Sequence, residues 1–161
     1  MAMLAVLVSK APQNSYVATS CGKGKNKVYG LAQCRGDVDE LDCTSCIQDA
    51  ARQIHVQYPK INHARIWFDF CFLRCDTQNF TGQLDTFYNI FCANVEDVTD
   101  PKTFNKKLGA LTDTIIKSEA VQPANKGLAK GESKLSSFVT LYALAQCTQT
   151  YRHCLARCAL A

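Results

Sequence analysis

A cysteine frame constrains this chain more than any other feature. Ten cysteines stand among its 161 residues, three of them spaced as Cys34-x8-Cys43-x2-Cys46. The six residues before that triplet, Val28-Tyr29-Gly30-Leu31-Ala32-Gln33, return almost unchanged as Leu141-Tyr142-Ala143-Leu144-Ala145-Gln146, again followed by a cysteine, Cys147. A fixed cysteine frame on a repeated unit suggests a cross-linked extracellular module, because such frames persist where the medium is oxidising. The repeat divides the chain into two small units, each with too little interior to be comfortable without covalent help.

Composition narrows the function classes. Charged residues make up 20% and apolar residues 47%, which is globular material rather than disorder. The net charge of +4 is spread as single residues, with local clusters at Lys23, Lys25, Lys27 and at Lys126, Lys130, Lys134. A nucleic-acid footprint would need a denser basic stripe with interleaved aromatics, so the charge supports only mild affinity for an acidic surface. No apolar run approaches the ~20 residues that span a bilayer. The apolar start, Met1 to Val8, lacks a basic leader region and a small-residue cleavage site, and Leu4 to Val8 is predicted to be the tail of a domain helix. On that expectation the chain begins inside its first domain and any secretion signal lies upstream. Asn79-Phe80-Thr81 is a candidate N-glycosylation acceptor in a secreted protein.

The residue pattern predicts, in order, a short helix, two strands, a helix and further strands in the first unit. Asn14 to Ser20 and Lys27 to Gln33 read as a hairpin around the turn Gly22-Lys23-Gly24-Lys25-Asn26. Asp42 is the expected N-cap of a helix in which Cys43, Cys46, Ile47, Ala50, Ala51 and Ile54 recur at helical spacing, closed by Pro59. Ala64 to Arg74 reads as one long strand, with Ile66, Phe68, Phe70 and Phe72 alternating against Arg65, Trp67, Asp69 and Cys71. Thr86 to Ala93 is expected to be a final strand, and Val95 to Pro101 a linker. A second helix follows, with Pro101 near its start and Phe104, Leu108, Leu111 and Ile115 as its stripe. Pro123 to Ser133 reads as a Gly/Lys loop and Leu135 to Gln146 as the repeated strand.

The cysteines admit two chemistries. Closing the strand-to-helix turn would bring Cys34 and Cys43 within the ~4.4–6.8 Å between Cα atoms that a disulfide requires, and a Cys46–Cys71 bridge would staple helix to sheet. Alternatively, Cys43-x2-Cys46 with Cys71-x3-Cys75 has the form of a four-thiolate zinc site. Against zinc, residues four apart on a strand lie ~13 Å from each other, and Phe72-Leu73-Arg74 offers no turn chemistry. No cysteine has an evident His and Asp or Asn partner set, the histidines being His55, His63 and His153. Paired carboxylates and a phosphate loop are also missing, so the chain is not expected to be an enzyme and no cofactor or metal is expected.

The triplet, its lead-in and the segment Ala64-Arg65-Ile66-Trp67-Phe68-Asp69-Phe70-Cys71-Phe72-Leu73-Arg74, in that order, resemble the plant salt-stress-response/antifungal (ginkbilobin-like) family. Its domain recurs in tandem in cysteine-rich repeat secretory proteins, plasmodesmata-located proteins and ectodomains of cysteine-rich receptor-like kinases. The resemblance implies an α+β fold, with an antiparallel sheet packed against two helices in each of two repeats, stapled by bridges equivalent to Cys34–Cys43 and Cys46–Cys71. It divides the chain into a repeat over 1–92, truncated at its start, and another over 93–161, truncated at its end.

The family's third bridge has no counterpart in the first repeat, where Tyr58 stands at the second partner's place, while Cys92 fits the first-cysteine role in the second. After Cys147 the spacing departs from the family, giving x6-Cys154-x3-Cys158, which reads as a truncation or an altered frame. Cys21, Cys75, Cys92, Cys147, Cys154 and Cys158 are left without assigned partners. The family's mannose site implies Arg65, Asp76 (for the usual Glu) and Asn94 as ligand-binding residues. The implied protein is a secreted, apoplastic or plasmodesmal, non-enzymatic recognition module for mannose-type glycans in defence or stress. The alternative is a protein-interaction domain without lectin activity, with other cysteine-rich repeat proteins as partners and a peripheral place at the cell surface.

Overall fold

The computed structural model describes residues 2–58, 63–83, 98–120, 125, 127–148 and 154–158, with the backbone alone at 118–120 and 154–158. The chain divides into two compact units, 1–83 and 84–161. Both are antiparallel sheets with helical cover, an α+β architecture.

Unit 1 runs α1 (Ala2–Asn14), β1 (Tyr16–Cys21), β2 (Val28–Cys34), α2 (Glu40–Gln57), β3 (Ala64–Trp67) and β4 (Cys71–Asp76). Its strands lie in the order β1-β2-β4-β3. Both helices pack on one face of this sheet, where Met3, Leu7 and Ala11 from α1 and Cys43, Ile47, Ala50 and Ile54 from α2 meet Ala32, Ile66 and Leu73. The apolar start of the chain is helical, as expected, and α1 runs past Val8 to Asn14 because Met3, Leu7 and Ala11, four residues apart, keep one face on the sheet. The approach is close at Gly30, where a Cβ would lie 2.6 Å from the Met3 sulfur. The β1–β2 hairpin turns at Gly22, whose φ of 89° favours glycine and whose Cβ would lie 2.2 Å from the Asn26 carbonyl oxygen.

Two expectations are corrected here. The cap of α2 is Asp39, not Asp42: the Asp39 carboxylate accepts from the Asp42 N–H at 2.8 Å, and the helix opens at Glu40. The expected long strand from Ala64 to Arg74 is a hairpin of β3 and β4, in which Trp67 pairs with Phe72 and Arg65 with Arg74. The reversal at Asp69 and Phe70 is held from outside. The Arg35 N–H donates to the Phe70 carbonyl at 2.8 Å, and the Arg35 guanidinium donates to the Asp69 carbonyl at 3.2 Å while lying over the Phe70 ring. Because the chain turns back, Phe72 shares the outer face with Trp67 instead of the inner face with Ile66. Pro59 and the expected strand Thr86–Ala93 lie outside the described residues.

Unit 2 runs α3 (Pro101–Thr114), a π-helical turn (Ile115–Ala120), β5 (Leu128–Lys134), β6 (Thr140–Cys147) and β7 (Cys154–Cys158), with strand order β5-β6-β7. Asp100 caps α3 by accepting from the Thr103 N–H at 3.1 Å, and its carboxyl pKa is lowered first by the Thr103 hydroxyl and then by that N–H. Phe104, Leu108, Leu111 and Ile115 pack on Ala129, Leu141, Ala143 and Ala145. The expected loop through Ser133 is instead largely strand β5. Lys130, Glu132 and Lys134 face water while Ala129 turns inward, and Gly131 is required because a Cβ there would lie 2.7 Å from Ile115 and 2.8 Å from Leu111. The repeated strand correspondingly starts at Thr140, not Leu135.

β7 explains the odd cysteine spacing. It pairs with β6 as β4 pairs with β2, and Cys147 stands opposite Cys154 as Cys34 stands opposite Cys71. Cys154-Leu-Ala-Arg-Cys158 thus occupies the sheet place of Cys71-Phe-Leu-Arg-Cys75 in unit 1.

Candidate functional site

The two bridges of unit 1 form one clasp. Cys34 is bonded to Cys43, with Cα atoms 5.7 Å apart, and Cys46 to Cys71, with Cα atoms 6.0 Å apart. Cys34 and Cys71 are register partners on β2 and β4, while Cys43 and Cys46 are one turn apart on α2. The bridges therefore leave neighbouring strands and land side by side at the start of the helix. Three of the four sulfurs of the alternative zinc set are consumed in this way, which overturns that reading. Cys147 is also disulfide-bonded.

Cys21 and Cys75 are free thiols among the described residues, and they differ in reach. Cys75 is buried on the helix-covered face; burial first, then the adjacent Asp76 carboxylate, push its thiol from 9.0 up to about 11. Cys21 is exposed at the end of β1. Native alkylation at neutral pH is expected to label Cys21 and spare Cys75, as peptide mapping would read. Because folding raises the Cys75 pKa, its stabilising effect is intact below pH 9 and is lost as pH rises toward about 11. A Cys75→Ala variant should lose less stability across that alkaline window than the parent, measured as the pH dependence of the unfolding midpoint.

The outer face of the unit 1 sheet carries the sugar-site residues that the sequence implied. On one continuous strand, Arg65 and Asp76 would be about 36 Å apart and on opposite faces. The hairpin makes them diagonal neighbours: Arg65 faces Arg74 across β3–β4, and Asp76 is the next residue on that face of β4. Asp76 is already committed. Its carboxylate accepts from the Arg74 guanidinium at 3.0 Å and from the Gln78 N–H at 3.1 Å, and the two side chains are only 13% and 15% exposed. Arg74 also lies 3.9 Å from the centre of the Phe80 ring, which is buried.

Asn94 lies outside the described residues, so the structure brings two of the three implied residues together. Asn79 is exposed, its side-chain oxygen accepting from the Thr81 N–H at 3.1 Å. Arg74 and Phe80 escaped the sequence reading; the signal was Arg74-x-Asp76, opposite charges two apart on one strand face. Beside them Trp67 and Phe72 stack with ring centres 5.2 Å apart.

Residues 1–78 match the model of the salt stress response/antifungal family. Through its first unit, the chain belongs to that family. Cysteine-rich repeat secretory protein 55 of Arabidopsis thaliana is 52% identical over 151 residues, covering 91% of this chain and 57% of that protein. The antimicrobial ginkbilobin-2-like protein of Castanea crenata is 36% identical over 147 residues, covering 91% and 60%. The chain thus spans a little over half the length of these curated relatives.

Among solved structures, the tandem DUF26 ectodomain of the Arabidopsis thaliana cysteine-rich receptor-like protein PDLP8 superposes with a TM-score of 0.75. It has 24% identity, over 92% of this chain and 68% of that one, and so speaks for the fold. The salt stress response/antifungal domain is here an extracellular one, as its disulfides and its secreted relatives agree. No described helix is long and apolar enough to cross a membrane.

Proposed function

We propose that the chain is an extracellular, non-enzymatic recognition module that engages a protein partner, another cysteine-rich repeat protein or receptor-like ectodomain, rather than acting as a mannose lectin. The observation that carries this reading is the commitment of Asp76. Both its oxygens already accept hydrogen bonds inside unit 1, and at 15% exposure the side chain leaves little of its remaining acceptor capacity open to a sugar. The neighbouring Arg65, Trp67 and Phe72 are half-buried side chains of the kinds that anchor protein interfaces. A second reading, mannose-type glycan binding through Arg65 and Asp76, is favoured by their diagonal closeness on one face.

Titration with mannose and oligomannose, read by the fluorescence of Trp67, separates the two. The expected result is no response at millimolar sugar, together with binding of a cysteine-rich ectodomain that survives added mannose and weakens at least tenfold in Trp67→Ala. Mannose binding that Asp76→Ala abolishes would reverse the assignment.

A further inference from the structure

The β5–β6 turn of unit 2 presents an aromatic side chain to solvent on a fixed scaffold. The N–H groups of Leu135 and Ser136 donate to the Val139 carbonyl at 2.9 and 3.2 Å, and the Ser136 hydroxyl accepts from the N–H groups of Phe138 and Val139, both at 3.2 Å. Phe138 at the tip is 98% exposed, and Val139 beside it is 49% exposed. Below the tip, the Lys107 ammonium reaches from α3 to donate to the Lys134 carbonyl, and the Lys134 side chain is exposed on the outer face at the end of β5. Tyr142 follows on the outer face of β6, also half exposed, with Glu132 opposite it as the nearest carboxylate on that face.

A convex tip of this kind offers far less than the roughly 800 Å² per partner that stable protein interfaces bury. It matches a surface that deforms around it. Aromatic rings settle at the boundary between lipid headgroups and acyl chains, while lysines on apolar stems reach the phosphates above. The net charge of +4 adds attraction to anionic lipid. We propose that this hairpin tip docks unit 2 on an anionic bilayer surface, with Phe138 entering the acyl boundary and Lys134 and Lys107 among the phosphates.

Vesicle flotation of the full chain tests this. The chain is expected to float with vesicles containing phosphatidylglycerol and to stay behind with phosphatidylcholine alone. Phe138→Ser should lower partitioning about tenfold, and Lys134→Glu several-fold, with circular dichroism unchanged because both side chains are exposed. In Phe138→Trp, lipids brominated on their acyl chains should quench emission that they leave untouched in the parent, whose one tryptophan is Trp67. Equal binding to neutral vesicles, no binding to anionic ones, or an unchanged Phe138→Ser variant would overturn the proposal. Oligomers that form without lipid and vanish in Phe138→Ser would also overturn it, because the tip would then be a protein contact.

Discussion

Replacing Cys46 and Cys71 together with alanine is expected to lower the stability of unit 1 by about 3.5 kcal/mol, the chain-entropy value for a loop of their separation, 25 residues. The Cys34–Cys43 bridge, with a separation of 9, should cost about 2.6 kcal/mol when removed. Against a typical net stability of about 5–15 kcal/mol for a whole domain, the longer bridge is most of the margin of a small unit. Denaturant unfolding followed by the fluorescence of Trp67, which sits in β3, reports this unit selectively. A loss under about 1 kcal/mol would mean that packing alone holds α2. The single variant Cys46→Ala should behave differently. It leaves the Cys71 thiol opposite Cys34 in the β2–β4 register, at the ~4.5–5.5 Å between Cα atoms of directly paired residues. The Cys71 thiolate can attack the Cys34 sulfur and release Cys43 as a thiolate. Non-reducing peptide mapping is expected to find Cys34–Cys71 in that variant, a bond absent from the parent.

How much of this was legible in the sequence depends on whether local pattern or distant contact decides each element. The faces of α2 and α3 were legible, since Ile47, Ala50 and Ile54, and then Phe104, Leu108, Leu111 and Ile115, repeat at helical spacing and all enter the cores. So was the α+β class. The β3–β4 reversal was not, because Ile66 to Phe72 alternates like an uninterrupted strand and has no Gly, Pro or Asn to mark a turn. Its turn is held by Arg35, 34 residues away from Asp69, and no local rule encodes that contact. β5 was misread for the opposite reason: Gly131 looked like loop punctuation, whereas it makes room for Ile115 and Leu111. The family resemblance implied Arg65 and Asp76, but the residue pattern did not bring them together: only the hairpin sets Arg65 near Asp76, and only side-chain geometry reveals that Asp76 is already engaged.

Leu7→Ala is expected to cost about 3 kcal/mol and to act on α1 before the rest of unit 1. The two helices are attached by different means. α2 is bonded to β2 and β4 through sulfur, while neither of those bridges touches α1, which rests on Met3, Leu7 and Ala11. Leu7 has 0% exposure at the centre of that row, and its methyl carbon lies 3.1 Å from where a Gly30 Cβ would stand. Truncating it removes the middle contact, and the covalently held α2 cannot move in to fill the space. Hydrogen exchange should therefore show α1 amides losing protection by roughly a hundredfold, as about 3 kcal/mol implies. The amides of α2 and β4 should change much less. Gly30→Ala is the matching control, since the added methyl meets the flexible end of Met3 and should cost less than Leu7→Ala. If protection in Leu7→Ala falls equally across α1, α2 and β4, the helix is an integral part of one cooperative unit, and the sulfur clasp does not hold an independent core.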